Sequence, residues 1–212
     1  MSDHFLYAFV TLIALMAPVA ELPVFLGIVE GQTAREIRAS AMQVAFGSFV
    51  ILGTAAVAGQ LILLVFGVSL PAFRAAGGAV LIVIGLEMLK GTTSALMSDS
   101  RATPDPQDRL WMPMIMPLTA GPAAITTAIT LAIREKGGAS ILPTATVLAI
   151  GASTLVVLVL LLASGPISKI LSARSARLSE RFLGLILTAV GFQMGMTGIL
   201  EFFFATQPQM VS

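Results

Sequence analysis

The chain has 212 residues, 57% hydrophobic and 11% charged, with a formal net charge of +1 and a mean hydropathy of +0.96. Soluble domains carry about 25% charged residues, so a soluble globular protein is excluded, and a near-zero charge without a basic stripe argues against a nucleic-acid partner. Cysteine is absent, which removes disulfides, thiolate nucleophiles and cysteine metal sites.

The chain opens on Met1-Ser2-Asp3-His4. No basic residue precedes the apolar run that follows, so this run reads as a retained helix and not a cleaved leader. His4, the single histidine, is expected in solvent or at the membrane interface. A helix needs about 20 apolar residues to cross the hydrocarbon. Six segments qualify: residues 5–29, 41–66, 72–89, 110–133, 141–162 and 182–204. The longest polar gap, residues 90–109, contains Ser98-Asp99-Ser100-Arg101 and Pro104-Asp105-Pro106. The expected fold is therefore all-α: a polytopic membrane protein forming one membrane domain over residues 1–212. Residues 1–90 form a first three-helix repeat, 91–109 a cytoplasmic linker loop, and 110–212 a second three-helix repeat.

Basic residues in short loops favour the cytoplasmic side. With the N-terminus outside, the inner loops hold Arg35, Arg38, Lys90, Arg101, Arg109, Lys169, Arg174, Arg177 and Arg181, nine of the 12 basic residues. Arg74, Arg134 and Lys136 lie outside. Both termini are accordingly expected outside.

The first and fourth spans each carry a proline pair, Pro18 with Pro23 and Pro117 with Pro122, related by a shift of 99. Proline removes an amide donor and clashes with the preceding turn, so each pair is expected to break its helix. In the third and sixth spans Gly78, Gly85, Glu87 and Met88 align with Gly184, Gly191, Gln193 and Met194 at a shift of 106, and Gly47 aligns weakly with Gly151 at 104. Each half holds an odd number of spans, so the halves enter the membrane inverted. Inverted repeats with interrupted helices mark the site in many secondary transporters. The glycines also have a packing reading, since small residues let helices approach closely.

A broken helix presents free amides at a new N-terminus and free carbonyls beside them. Such ends suit a carboxylate and an ammonium or small cation, respectively. The residues expected at a solute site are Pro18, Glu21, Pro23, Pro117, Thr119, Gly121, Pro122 and Gln193. Glu21 is costly inside a membrane, at roughly 2.5–3.5 kcal/mol on insertion scales, and could pair an ammonium, relay a proton, or bond to the opened backbone. Thr119 offers a hydroxyl, and Gly121 admits close backbone approach. Thr126 and Thr127 are expected to bond back to carbonyls of their own helix. Gln193 could instead bond between helices, Glu87 snorkel to the interface, and Arg74 pair with Glu201. No Ser-His-Asp set, zinc motif or phosphate-binding loop occurs; no catalytic residue, cofactor or metal site is expected, and the chain is not read as an enzyme.

Three stretches resemble the MarC family of bacterial inner-membrane proteins: Phe66-Gly-Val-Ser-Leu-Pro71-Ala-Phe-Arg74-Ala-Ala-Gly77-Gly78, Met116-Pro117-Leu118-Thr119-Ala120-Gly121-Pro122, and Gly191-Phe-Gln193-Met-Gly-Met-Thr-Gly198-Ile-Leu-Glu201. The likeness runs over nearly the whole chain. It implies a six-span inner-membrane protein related to small-solute exporters of the LysE type, some relatives being regarded as neutral amino acid transporters. The family commonly has Asn-Pro where this chain has Ala17-Pro18, which removes a side chain able to serve the opened backbone. The expected function is secondary export of small solutes, neutral amino acids foremost, by alternating access, with a proton or sodium as candidate coupling ion. A non-transporting membrane scaffold or stress-related factor, and a small-solute channel, are the alternatives. The oligomeric state is left open.

Overall fold

Helix boundaries in the computed structural model follow from local stop and start signals. The structure describes residues 2–16, 18–29, 31–90, 115, 119–136, 142–164 and 173–206. Seven helices are described: α1 (Ser2–Met16), α2 (Pro18–Ile28), α3 (Ala34–Val65), α4 (Leu70–Lys90), α5 (Pro122–Lys136), α6 (Thr144–Leu162) and α7 (Ala173–Thr206). Gly31, at φ +82°, turns the chain between α2 and α3. Thr33 then starts α3 with a capping box: its side chain accepts from the Glu36 amide while the Glu36 carboxylate accepts from the Thr33 N–H at 2.7 Å. Gly67, at φ +65°, closes the turn into α4, where Ser69 Oγ accepts from the Ala72 amide at 3.3 Å.

Two expectations about extent are corrected. Helix α3 begins at Ala34 and not near residue 41, because the capping box extends it by two polar turns. Helix α7 begins at Ala173, inside a stretch read as loop, since Arg, Ala, Leu, Ser and Glu form helix readily outside a membrane.

Four helical stretches are long and apolar enough to cross a membrane: Ala34–Val65, Leu70–Lys90, Thr144–Leu162 and Gly184–Phe204. The expected first span is divided. Helix α1 has 15 residues and α2 has 11, so at about 1.5 Å per residue neither alone crosses ~30 Å. The expected fourth span is described from Thr119 onward, with Ile115, and α5 has 15 residues. Large apolar side chains face outward along the helices, among them Phe46, Leu64, Val65, Phe192 and Phe203. An apolar surface this continuous is stable only against lipid or a partner.

The core is built from α1, α2, α3, α5 and α6 around Leu12, Met16, Phe25, Leu52, Ile150 and Leu161. Helix α3 packs on α5 and α6, α1 on α5 and α6, α2 on α6 and α7, and α4 on α5 and most extensively on α7. The buried face of α3 contains Ser40, Ala41, Val44, Ala45, Ser48, Leu52 and Ala56. That of α6 contains Ala145, Thr146, Ala149, Ile150, Ser153, Val157 and Leu161. One shift of 105 carries the first set onto the second.

Helices α4 and α7 meet along a glycine seam. A Cβ added to Gly191 would lie 2.7 Å from the Gly78 oxygen and 2.8 Å from the Ile82 nitrogen. A Cβ added to Gly85 would lie 2.6 Å from the Gly184 oxygen and 2.7 Å from the Thr188 nitrogen. Shifting every residue by 106 and exchanging the helices turns one set of contacts into the other. As the number rises on α4 it falls on α7, so the two helices run antiparallel. The packing expectation for Gly78, Gly85, Gly184 and Gly191 therefore holds in this structure.

Candidate functional site

Helix α1 stops at Met16 and α2 starts at Pro18, where a missing amide hydrogen costs nothing because a first-turn donor has no intrahelical partner. Helix α2 continues through Pro23, so only Pro18 marks the break in this half. Pro23 still removes the donor that would serve the Val19 carbonyl. Glu21 lies in the first turn of α2, where the helix dipole favours a carboxylate.

In the second half the winding changes just before Pro122. The Ala120 amide donates to the Ile115 carbonyl at 2.9 Å, one residue further back than an α-helix allows, which is the signature of a π-type turn. The Gly121 carbonyl then accepts from the Ile125 amide at 2.9 Å, so α5 starts with Pro122 as its first residue. Gly121 has no side chain to offer the first amides of α5. Pro117 lies outside the described residues. Gly121 is buried, and Pro122 is pressed from α4: a Cβ on Gly77 would lie 2.7 Å from Pro122 Cβ.

Folding brings the two breaks together at one pair of side chains. Glu21 is 1% exposed and Thr119 0%, and the Thr119 hydroxyl lies near the Glu21 carboxyl, from the other half of the chain, without reaching hydrogen-bond geometry. Neither Glu21 oxygen has a partner at hydrogen-bond geometry among the described residues. The ion pairs there are Arg74–Glu201 and His4–Glu135, so no basic side chain neutralises Glu21. The surroundings are apolar: Met16, Leu22, Phe25, Ile115, Ala120 and Ala124 are all buried, and Pro18 is buried with them. Gln193 is not part of this group. It is exposed on α7, two residues and so about 200° round from the Gly191 contact, which is what helical spacing dictates once Gly191 faces α4.

Of the two threonines expected to bond back into their own helix, Thr126 does so; among the described residues Thr130, and not Thr127, makes the second such bond. Thr126 Oγ1 donates to the Pro122 carbonyl at 2.6 Å, and Thr130 Oγ1 to the Thr126 carbonyl at 2.8 Å. Thr130 Oγ1 also accepts from Arg74 Nη2 at 3.1 Å. Arg74 Nη1 reaches both Glu201 oxygens, at 2.6 and 2.8 Å. The expected Arg74–Glu201 pair is thus present, and it fastens α4 to α7 and α5.

Two features escaped the sequence reading. His4 is not simply solvated: Nε2 lies 3.3 Å from Thr146 Oγ1 and 3.7 Å from Glu135 Oε2. Glu135 caps α6, accepting from the amides of Ala145 at 2.8 Å and Thr146 at 2.9 Å and from the Thr146 hydroxyl at 2.8 Å. Desolvation pushes Glu135 up, but these amides, the hydroxyl and His4 outweigh it and hold the carboxyl below its ordinary range. Glu135 sits 10 residues before Ala145 in sequence, and no local motif links a helix end to a cap so far ahead. The second feature is a set of buried serine hydroxyls, Ser48, Ser153 and Ser164, without a hydrogen-bond partner among the described residues. Among the same residues no cluster of three His, Asp or Glu side chains could hold a metal.

The MarC family, described as MarC family integral membrane protein, matches residues 2–203. A membrane protein of Pyrococcus abyssi is 35% identical over 196 residues, covering 92% of this chain and 94% of its own length. Membrane protein YvbG of Bacillus subtilis is 30% identical over 204 residues, covering 93% and 94%. Inner membrane protein MarC of Citrobacter koseri is 27% identical over 203 residues, covering 91% and 92%. No solved structure matches significantly. With a family match spanning nearly every residue from α1 to α7, the chain belongs to the MarC family of integral membrane proteins.

Proposed function

We propose that this chain is a secondary transporter of small solutes, neutral amino acids foremost, that works by alternating access and has no enzymatic step. The observation that carries the reading is the Glu21–Thr119 pair. A carboxyl and a hydroxyl are buried in an apolar junction where two interrupted helices from opposite halves meet. A purely structural junction gains nothing from a carboxyl left without a hydrogen-bond partner, since burying such a group costs several kcal/mol. A site that must take up and release a polar solute needs one.

The proposed scaffold is a pair of inverted three-span repeats. The exchange relation along the glycine seam supports it. Two equivalent helices that cross antiparallel are related by a two-fold axis perpendicular to both. If both helices span the membrane, that axis lies in the membrane plane. The shared buried face of α3 and α6 supports it further, and so does the contact set: α2 on α6 answers α5 on α3, and α2 on α7 answers α5 on α4. In this reading both termini lie outside a bacterial inner membrane, and the conformation is occluded, because Glu21 and Thr119 are closed to both faces.

The test is a panel of labelled glycine, alanine and serine in proteoliposomes under proton and sodium gradients. Uptake or counterflow of one of them by the wild-type protein is the expected result. Absence of flux under every gradient would leave the scaffold reading in its place. Pro18→Ala and Pro122→Ala are expected to slow flux at least tenfold with little change in folding; wild-type rates in both remove the breaks from the mechanism.

A further inference from the structure

We propose that Glu21 carries the proton coupled to transport, bound to its carboxyl in the occluded conformation and exchanged for solute when the site opens. The inference rests on the transport reading above for its role in a cycle, and on geometry for the proton itself. Three oxygens define the place: the two of Glu21 and the hydroxyl of Thr119. An ionised carboxylate that is 1% exposed and without a hydrogen-bond partner would be uncompensated, and the neutral acid is the form such burial accommodates.

Helix α2 packs on α6 and α7. Helix α6 has no titratable residue, and α5 has none from Pro122 to Ile133. On α7 the charged residues stand toward its two ends, Arg174, Arg177, Glu180 and Arg181 at one and Glu201 at the other. Of these, Glu201 is engaged with Arg74. On α1 the titratable groups are Asp3, His4 and Tyr7, in its first two turns, more than two turns from Met16, and His4 faces Glu135. Helix α4 meets α2 where Met88 packs on Val24 and brings half-buried Glu87 and exposed Lys90 beside that contact; among the described residues Glu21 is the one ionisable side chain that is itself buried.

The step balances simply. The Glu21 O–H bond breaks when the site opens, and the proton passes to water on that side. The carboxylate left behind accepts the ammonium of a solute, or takes a proton from the opposite side. Proton and ammonium compete for one carboxylate, so the natural cycle is exchange of one for the other.

Infrared difference spectroscopy of the purified protein in lipid at neutral pH tests the proton without any solute. A protonated carboxylic-acid carbonyl band is expected in the wild type, absent in Glu21→Gln and retained in Glu201→Gln. Thr119→Val should keep the band and move its frequency, because the hydroxyl near that acid is lost; this readout does not depend on Glu21→Gln folding. A wild-type spectrum with no such band, or a band that survives in folded Glu21→Gln, overturns the proposal. In proteoliposomes loaded with alanine, the wild type should accumulate solute in response to a pH step, and Glu21→Gln, which lacks both the proton carrier and the carboxylate for the ammonium, should lose that accumulation. Accumulation in Glu21→Gln equal to wild type also overturns it. If the wild type shows the band yet moves no solute, the transport reading fails while the protonated Glu21 stands.

Discussion

The glycine seam between α4 and α7 makes a prediction that separates close approach from mere glycine content. Four glycines on α7 point toward this crossing: Gly184, Gly191, Gly195 and Gly198. Their environments differ. A Cβ on Gly191 would lie 2.7 Å from the Gly78 oxygen, whereas one on Gly195 would lie 3.9 Å from the Ala75 oxygen, ordinary van der Waals distance. Backbone cannot step aside as a flexible side chain can, so Gly191→Ala must part the helices by roughly 0.7 Å to restore ordinary contact, loosening the dispersion contacts along the seam. Overpacking of this kind costs about 1–3 kcal/mol. Gly195→Ala adds no clash and gains up to about 1 kcal/mol of helix propensity. Reversible unfolding by sodium dodecyl sulfate in mixed micelles, followed by circular dichroism, measures both. The expected order is Gly191→Ala well below wild type and Gly195→Ala at or above it. Equal losses in the two variants would refute the argument, because the seam would then be sensitive to any side chain and not to the approach of two backbones.

Two further predictions rest on the polar ties outside the core. Arg74→Lys keeps the charge and one nitrogen for Glu201 but loses the second nitrogen that holds Thr130 at the same time; since Glu201 is partly exposed, a loss near 1 kcal/mol is expected, shrinking in high salt, and a loss that grows with salt would contradict the pair. Glu135→Gln should destabilise the protein at neutral pH by weakening the cap on α6. Because the folded carboxyl lies below its ordinary value of 4.5, its contribution is full above that value and is lost as pH falls through the folded one. The gap between wild type and Glu135→Gln in denaturant titrations should therefore close in acid; a gap that widens there would show that the carboxylate is not what caps α6.

Much of this architecture is legible in the chain because its signals are local. Apolar runs of membrane length, the Thr33–Glu36 box and the glycines at turns each act within a few residues. The pairing of Arg74 with Glu201 was also readable, since both sit at the same ends of adjacent spans. What could not be read is the work of tertiary contact. Pro23 looks like a second break, yet α2 runs through it, because one missing bond near a helix start is easily absorbed once the helix is packed. Gln193 looks like a buried polar residue at mid-span, yet the Gly191 seam fixes the rotation of α7 and turns Gln193 outward. His4 looks like a frayed terminus, yet it meets Thr146, which is 142 residues away.

The contrast between the seam and the breaks bears on how one chain would build the site proposed above. Along α4 and α7 the exchange of equivalent residues leaves contacts unchanged, down to which backbone atom meets which glycine. At the breaks the same operation, with its shift of 99, sets Glu21 against Ala120 and Thr119 against Ala20. Each half thus supplies what the other lacks: a carboxyl from the first and a hydroxyl from the second. In the proposed inverted-repeat frame equivalent segments meet near the two-fold axis, so a residue placed there is close to the other half, and changing one copy is enough to make the pair unequal. A duplicated Glu would set two carboxyls side by side in an apolar junction, where two like charges cannot both ionise. One carboxyl facing one hydroxyl avoids that conflict, which accounts for a symmetric frame holding an asymmetric pair.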